Sequence, residues 1–200
     1  DKDFCHRGIT VCEVFDEEII KKIYDPYDNL SVVVSIRSDG SMQKRVIGSV
    51  SEALTASEDF ERLSEVFVSP SLQMVSFTIT EKGYSIVGPD NEYLPQVIYE
   101  FKNLPEVPKT IMGLVAALCY KRYRAGKLPV ALVSLDNFFH NGDRLRKVIN
   151  TFAHNWVENG LAESGFLDYL GDAELVSFPL SMIDKITPRP SEMIKAILES

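Results

Sequence analysis

Pro129-Val-Ala-Leu-Val-Ser-Leu-Asp-Asn-Phe-Phe-His-Asn-Gly142 decides the fold class. Val130 to Leu135 is an almost wholly apolar run, as expected of a parallel strand covered on both faces. The run breaks off into Asp136, Asn137, His140 and Asn141, and open α/β sheets place their ligands at this carboxyl edge. A solvated loop accounts for the same residues, so the weight falls on whether other strands end in the same way. Upstream, Thr110 to Arg124 has Ile111, Leu114, Val115 and Leu118 at helical spacing and is ended by Gly126 and Pro129. Downstream, a helix begins at Asn141 to Asp143, repeats Leu145, Val148, Ile149, Phe152, Ala153 and Trp156, and closes at Gly160. Helix, buried strand, polar edge and helix in succession form the βαβ pattern of a parallel sheet. The fold class is therefore α/β.

The remaining segments fit around that unit. Gly8 to Val14 is a strand with Glu13 near its end, and Asp16 to Tyr24 is a short helix with Asp16 as N-cap. Leu30 to Ile36 and Arg45 to Val50 are strands on either side of an Asp39-Gly40 turn, which makes an inserted β-hairpin. Glu52 to Phe67 is expected to be helical at first and extended at its end. Val75 to Thr80 is a strand running into Glu81-Lys82-Gly83-Tyr84, and the proline-rich stretch from Pro89 to Pro108 is expected to be mostly loop with a broken helical piece.

The formal net charge of −8 argues against a nucleic-acid partner and leaves no footprint for an anionic membrane. Lys121, Arg122, Arg124 and Lys127 form the one dense basic cluster, read as a solvated helix end whose cations oppose the negative pole of the dipole. Three cysteines without metal-ligand spacing make a zinc site unexpected and a reducing cytoplasm the default compartment. No signal-peptide core and no membrane-length apolar run occurs. Trp156 belongs to a core stripe, and His154 faces away from it.

Three strand ends suit a dinucleotide. Glu13, with Asp16 close behind, can accept hydrogen bonds from a ribose 2′-hydroxyl and repels a 2′-phosphate. Thr80 and Glu81 close a second edge, and Asp136 with Asn137 a third; Asp136 as a cap of the following helix is the competing assignment. No GxGxxG, P-loop or GxSxG pattern is present.

The last segment is more specific. Ser177-Phe-Pro-Leu-Ser-Met-Ile-Asp-Lys-Ile-Thr-Pro188 resembles the signature of the mannitol dehydrogenase family, the long-chain polyol and sugar-acid dehydrogenases, with Ile183 for valine and Lys185 for arginine. Ser134 to Gly142, Thr80-Glu81-Lys82-Gly83-Tyr84 and Arg45-Val46-Ile47-Gly48-Ser49 resemble the same family. The resemblance runs from Ile9 to about Pro190, and the motifs occur in the family's order.

The resemblance implies an NAD-dependent oxidoreductase, with residues 1–200 as its Rossmann-like NAD-binding domain and a helical C-terminal domain as its partner. Such enzymes reduce keto-sugars or keto-sugar acids, fructuronate to mannonate for example, or oxidise polyols such as mannitol. The look of Leu135 to Gly142 and of Phe166-Leu-Asp-Tyr-Leu favours the sugar-acid branch, with the polyol 2-dehydrogenases as alternative. Asn137 matches a strand-end amide that donates to the substrate oxygen, while Asp184 and Lys185 match substrate-side positions. The family's first strand with its glycine-rich turn, and its later catalytic lysine, have no match, so the chain is expected to be truncated at both ends and inactive alone. A rival of another class is a non-catalytic binding module that kept the sheet.

Overall fold

The computed structural model describes residues 8–14, 17–104, 106–184, 192 and 196. Asp16 and Lys185 lie outside the described residues. The strands are β1 (Ile9–Glu13), β2 (Ser31–Ile36), β3 (Met42–Ile47), β4 (Val50–Thr55), β5 (Met74–Phe77), β6 (Val130–Ser134) and β7 (Val176–Ser177). The α-helices are α1 (Glu17–Ile19), α2 (Phe60–Val68), α3 (Thr80–Gly83), α4 (Pro95–Asn103), α5 (Ile111–Arg124), α6 (Asn141–Glu158) and α7 (Gly165–Gly171). A π-helical turn, Ile20–Tyr24, and a 3-10 turn, Asp25–Tyr27, continue α1.

β6 lies between β5 and β7 and pairs parallel with both, Phe77 opposite Ser134 and Val130 opposite Val176. Val130, Leu132 and Ser134 are buried, whereas Ala131 and Val133 on the other face are half-buried. Cover is thus deeper on one face than the apolar run led us to expect. β1 and β4 form a second parallel pair, from Ile9 opposite Val50 to Glu13 opposite Thr55. β1 is bonded by β4 and β5 by β6; the other edge of each has no strand partner among the described residues. β2 and β3 form the inserted antiparallel hairpin, its turn closed by Gly40 at a φ of +80°. That is a backbone angle natural to glycine.

One segment runs in the reverse of the expected order. Residues 50–55 are strand and 60–68 are helix, not helix first and extension after. Glu52-Ala-Leu is locally compatible with a helix, but pairing to β1 overrides that weak preference. Asp59 then turns the chain, its Oδ2 accepting the Thr55 N–H at 2.8 Å, and α2 buries Phe60, Leu63 and Phe67. Between the prolines, α4 is an unbroken nine-residue helix started by Pro95, whose missing N–H costs nothing in a first turn.

α5 is the hub: residues 111–119 are buried on every side, against α2, α6 and α7. Its start is held by Glu100, a fully buried carboxylate on α4. Glu100 Oε1 accepts the N–H groups of Lys109 and Thr110 at 2.7 and 2.9 Å, and its Oε2 accepts the Thr110 hydroxyl at 2.5 Å. Thr110 Oγ1 in turn caps the Gly113 N–H at 3.1 Å. Gly113 is glycine because a Cβ there would lie 2.2 Å from Glu100 Oε2.

The other end of α5 departs from expectation. Lys121, Arg124 and Lys127 are exposed, but Arg122 is completely buried. Its Nε donates to Leu128 O at 3.0 Å, Nη1 to Phe67 O and to Ser69 O at 2.9 Å, and Nη2 to Leu72 O at 2.8 Å and Pro129 O at 2.7 Å. All five guanidinium N–H groups therefore meet a backbone carbonyl. They bind the end of α2 to the chain entering β5 and β6. Burial lowers the pKa of this guanidinium, as taking a charge out of water must.

Candidate functional site

The carboxyl end of β6 gathers most of the predicted residues. β6 ends at Ser134, Asp136 follows half-buried, and Asn137 is exposed. Asp136 caps a helix, but not the one expected. Its Oδ1 accepts the Thr80 N–H at 2.9 Å and its Oδ2 the Ile79 N–H at 3.0 Å, so it caps α3 rather than the following α6. Ile79 has φ −116° and ψ 8°, and Thr80 has φ +61°. A right-handed residue followed by a left-handed one aims successive N–H groups into a concave anion nest, and Asp136 fills it. Thr80 is β-branched, so its left-handed backbone is a strained position.

Tyr84, at the end of α3, completes the knot. Its hydroxyl donates to Asp136 Oδ2 at 2.7 Å and lies 2.8 Å from Ser134 Oγ, which accepts the Asp136 N–H at 3.4 Å. Burial raises the pKa of the Tyr84 hydroxyl; the Ser134 contact opposes this and the bond to Asp136 adds to it. Tyr84 is therefore a protonated donor throughout the physiological range. Phe138 packs edge-on against the Tyr84 ring at 5.0 Å. Arg144 on α6 lies 5.6 Å from the Phe138 ring and pairs with Glu81 at 2.5 Å. Asn137 is thus flanked by two anchored neighbours, while its own side chain makes no hydrogen bond among the described residues.

Asn141 joins this edge to the signature segment. Its Nδ2 donates to Asp136 O at 3.1 Å, Ser181 O at 3.0 Å and Ser181 Oγ at 2.8 Å, and its Oδ1 accepts the Ser181 N–H at 3.2 Å. The Ser181 hydroxyl donates to Ser134 O. A Cβ on Gly142 would lie 2.5 Å from Pro179 O and 2.7 Å from Phe178 O, so only glycine lets residues 178–181 cross α6 this closely. Asp184, a few residues on, is exposed.

Glu13 is half-buried at the end of β1, on the other parallel pair. Its carbonyl accepts the Ala56 N–H at 2.9 Å. Burial, with Glu13 and Asp59 adding negative charge, pushes the neighbouring Cys12 thiol up to about 11.

Thr80, Glu81, Asp136 and Asn137 are thus brought together, with the signature segment leading towards Asp184. Tyr84, Ser134 and Ser181 carry the geometry without having been proposed as site residues, and Asn141 was named at the polar edge of the strand without a role. All four stand inside the quoted motifs, which was the available signal. As a dinucleotide site the edge fits in part. Glu13 is an acceptor of the right kind for ribose hydroxyls, and Asn137 offers an uncommitted amide. The Ile79–Thr80 nest is filled by the chain's own carboxylate and does not serve a pyrophosphate.

Comparison with known proteins agrees with this architecture. The family model described as the mannitol dehydrogenase Rossmann domain matches residues 2–199, and the chain belongs to that family. It is 52% identical over 195 residues to the D-mannonate oxidoreductase of Thermotoga maritima, covering 96% of this chain and 36% of that protein. It is 32% identical over 176 residues to a mannitol 2-dehydrogenase of Pyrenophora tritici-repentis, covering 86% of this chain and 30% of that one. Among solved structures, Pseudomonas fluorescens mannitol 2-dehydrogenase in ternary complex with NAD and D-mannitol superposes with a TM-score of 0.77 at 31% identity, covering 96% of this chain and 38% of that one. A substrate-free D-sorbitol dehydrogenase gives 0.79 at 29% identity, over 96% of this chain and 39% of that one. The chain spans about a third of the length of these relatives.

Proposed function

We propose that this chain is the NAD-binding part of an oxidoreductase that interconverts a keto-sugar acid and a sugar acid, fructuronate and mannonate, by hydride transfer. The observation that carries this reading is the 52% identity to D-mannonate oxidoreductase over 96% of the chain, against 32% for the mannitol 2-dehydrogenase over a shorter span. Two features support it physically. The polar residues cluster where a parallel sheet leaves a ligand crevice, and the exposed Asn137 lies three residues past the end of β6.

In this reading Glu13 takes the adenosine ribose hydroxyls and disfavours a 2′-phosphate. Thr80 and Glu81 border the crevice, and Asp136, its oxygens already engaged, acts through the backbone that it holds. Bound NADH supplies the hydride. Asn137 donates its amide N–H to the oxygen on which negative charge grows, a neutral donor at any working pH. Asp184, with Lys185, orients the substrate or a lysine of the later domain. A further strand bearing a glycine-rich turn pairs at the open edges of β1 and β5, and a helical C-terminal domain closes the site and carries the base. The protein works in the cytoplasm; among the described residues no helix is long and apolar enough to cross a membrane.

The test is steady-state reduction by the intact protein, with NADH, of fructuronate against fructose. A kcat/KM for fructuronate about tenfold higher or more supports the sugar-acid assignment. A preference for fructose moves the protein to the polyol dehydrogenases.

A further inference from the structure

We infer that Asp136 is a positioning residue for Asn137, and that the strained Thr80 backbone is the strut against which it is held. This rests on the reading of Asn137 as the amide that meets the substrate oxygen. Asp136 spends both carboxylate oxygens on its own chain: Oδ1 on the Thr80 N–H at 2.9 Å, Oδ2 on the Ile79 N–H at 3.0 Å and the Tyr84 hydroxyl at 2.7 Å. Its backbone is fixed as well, its N–H bonded to Ser134 Oγ at 3.4 Å and its carbonyl accepting from Asn141 Nδ2 at 3.1 Å. The residue before Asn137 therefore cannot turn without breaking a knot tied to β6, α3 and α6. The residue after it, Phe138, is wedged against Tyr84 at 5.0 Å with the Arg144 guanidinium 5.6 Å from its ring.

A carboxylate is required because two adjacent N–H groups and one O–H converge on it. Asparagine presents one oxygen and turns an N–H₂ donor towards at least one of those donors. The nest in turn exists only while Thr80 stays left-handed, a conformation that glycine adopts freely and a β-branched residue resists. The two residues are thus coupled: the carboxylate holds Thr80 in place, and the nest so formed holds the carboxylate.

The experiment uses the intact protein and two cycles. In the kinetic cycle, Asp136→Asn is expected to lower kcat for fructuronate by roughly tenfold to a hundredfold, with the KM for NADH within about threefold. In an Asn137→Ala background the same change is expected to lower kcat no further. An undiminished loss in that background would show that Asp136 acts other than through Asn137 and would overturn the inference. In the stability cycle, Thr80→Gly is expected to offset much of the drop in Tm caused by Asp136→Asn, because glycine needs no carboxylate to stay left-handed. Strictly additive shifts in Tm would overturn the strut. If Asn137→Ala alone leaves kcat intact, the reading of Asn137 fails and with it the positioning role, while the Thr80–Asp136 coupling is still judged by Tm.

Discussion

Replacing Arg122 tests how the end of α2 is tied to the chain entering β5 and β6. Five buried N–H groups meet five carbonyls, of Phe67, Ser69, Leu72, Leu128 and Pro129, with no carboxylate among them. Lysine has three donors on one nitrogen, so Arg122→Lys leaves at least two carbonyls buried and unpaired. At about 1–3 kcal/mol for each, the expected loss is about 2–6 kcal/mol. Arg122→Met orphans all five, but it also relieves the cost of burying a charge, and about 3–5 kcal/mol is expected by analogy with broken buried ion networks. Urea unfolding of the intact protein measures the total. Hydrogen exchange followed by mass spectrometry localises it, since 3 kcal/mol is on the order of a hundredfold in an opening equilibrium. Peptides covering residues 67–72 and 128–130 should lose protection first. An Arg122→Met protein within about 1 kcal/mol of the parent, with unchanged exchange in those peptides, would refute the tie.

Three further outcomes follow. The intact protein should prefer NADH to NADPH, and Glu13→Ser should narrow the ratio of their kcat/KM values by about tenfold or more; a parent that prefers NADPH would remove Glu13 from the ribose. Gly142→Ala should destabilise by about 1–3 kcal/mol, because the new methyl meets the backbone carbonyls of Phe178 and Pro179 at 2.7 and 2.5 Å; unchanged urea unfolding would mean that residues 178–181 do not sit against α6. Burial lifts the Cys12 and Cys119 thiols from 9.0 to about 11 and about 12, so both are raised in the folded state. Their stabilisation is complete below pH 9 and is lost as pH rises through the folded values, at up to about 1.4 kcal/mol per pH unit for each. At pH 8 iodoacetamide should alkylate Cys12 roughly a hundredfold more slowly than an unfolded thiol, and equal rates would contradict its burial.

The parts legible in the sequence are those whose periodicity is strong and whose partners are near in the chain. α5, β6 and α6 were read from apolar pattern and end signals; burial of the two helical stripes agrees, while β6 is buried on one face and half-buried on the other. The order of strand and helix in residues 50–68 was not legible, because β4 owes its form to β1, about forty residues upstream. Arg122 was read as a solvated cation because it sits among Lys121, Arg124 and Lys127. Yet it follows Leu118 by four and Val115 by seven residues, on the apolar stripe of α5, and that spacing was the overlooked signal. At the candidate site the motifs located the right residues without their bonds. Asp136 was weighed as a cap for the helix after it, but its partners lie 56 and 57 residues before it, a distance no local pattern encodes. Asn141 and Ser181 likewise meet across forty residues.

The most direct test of the account is a crystal structure of the intact protein with NADH. The account expects the cofactor along the carboxyl ends of β1, β5 and β6, its adenosine ribose hydroxyls on the Glu13 carboxylate and the Asn137 amide beside the nicotinamide end. A cofactor bound away from those strand ends, or a ribose out of hydrogen-bond reach of Glu13, would contradict it.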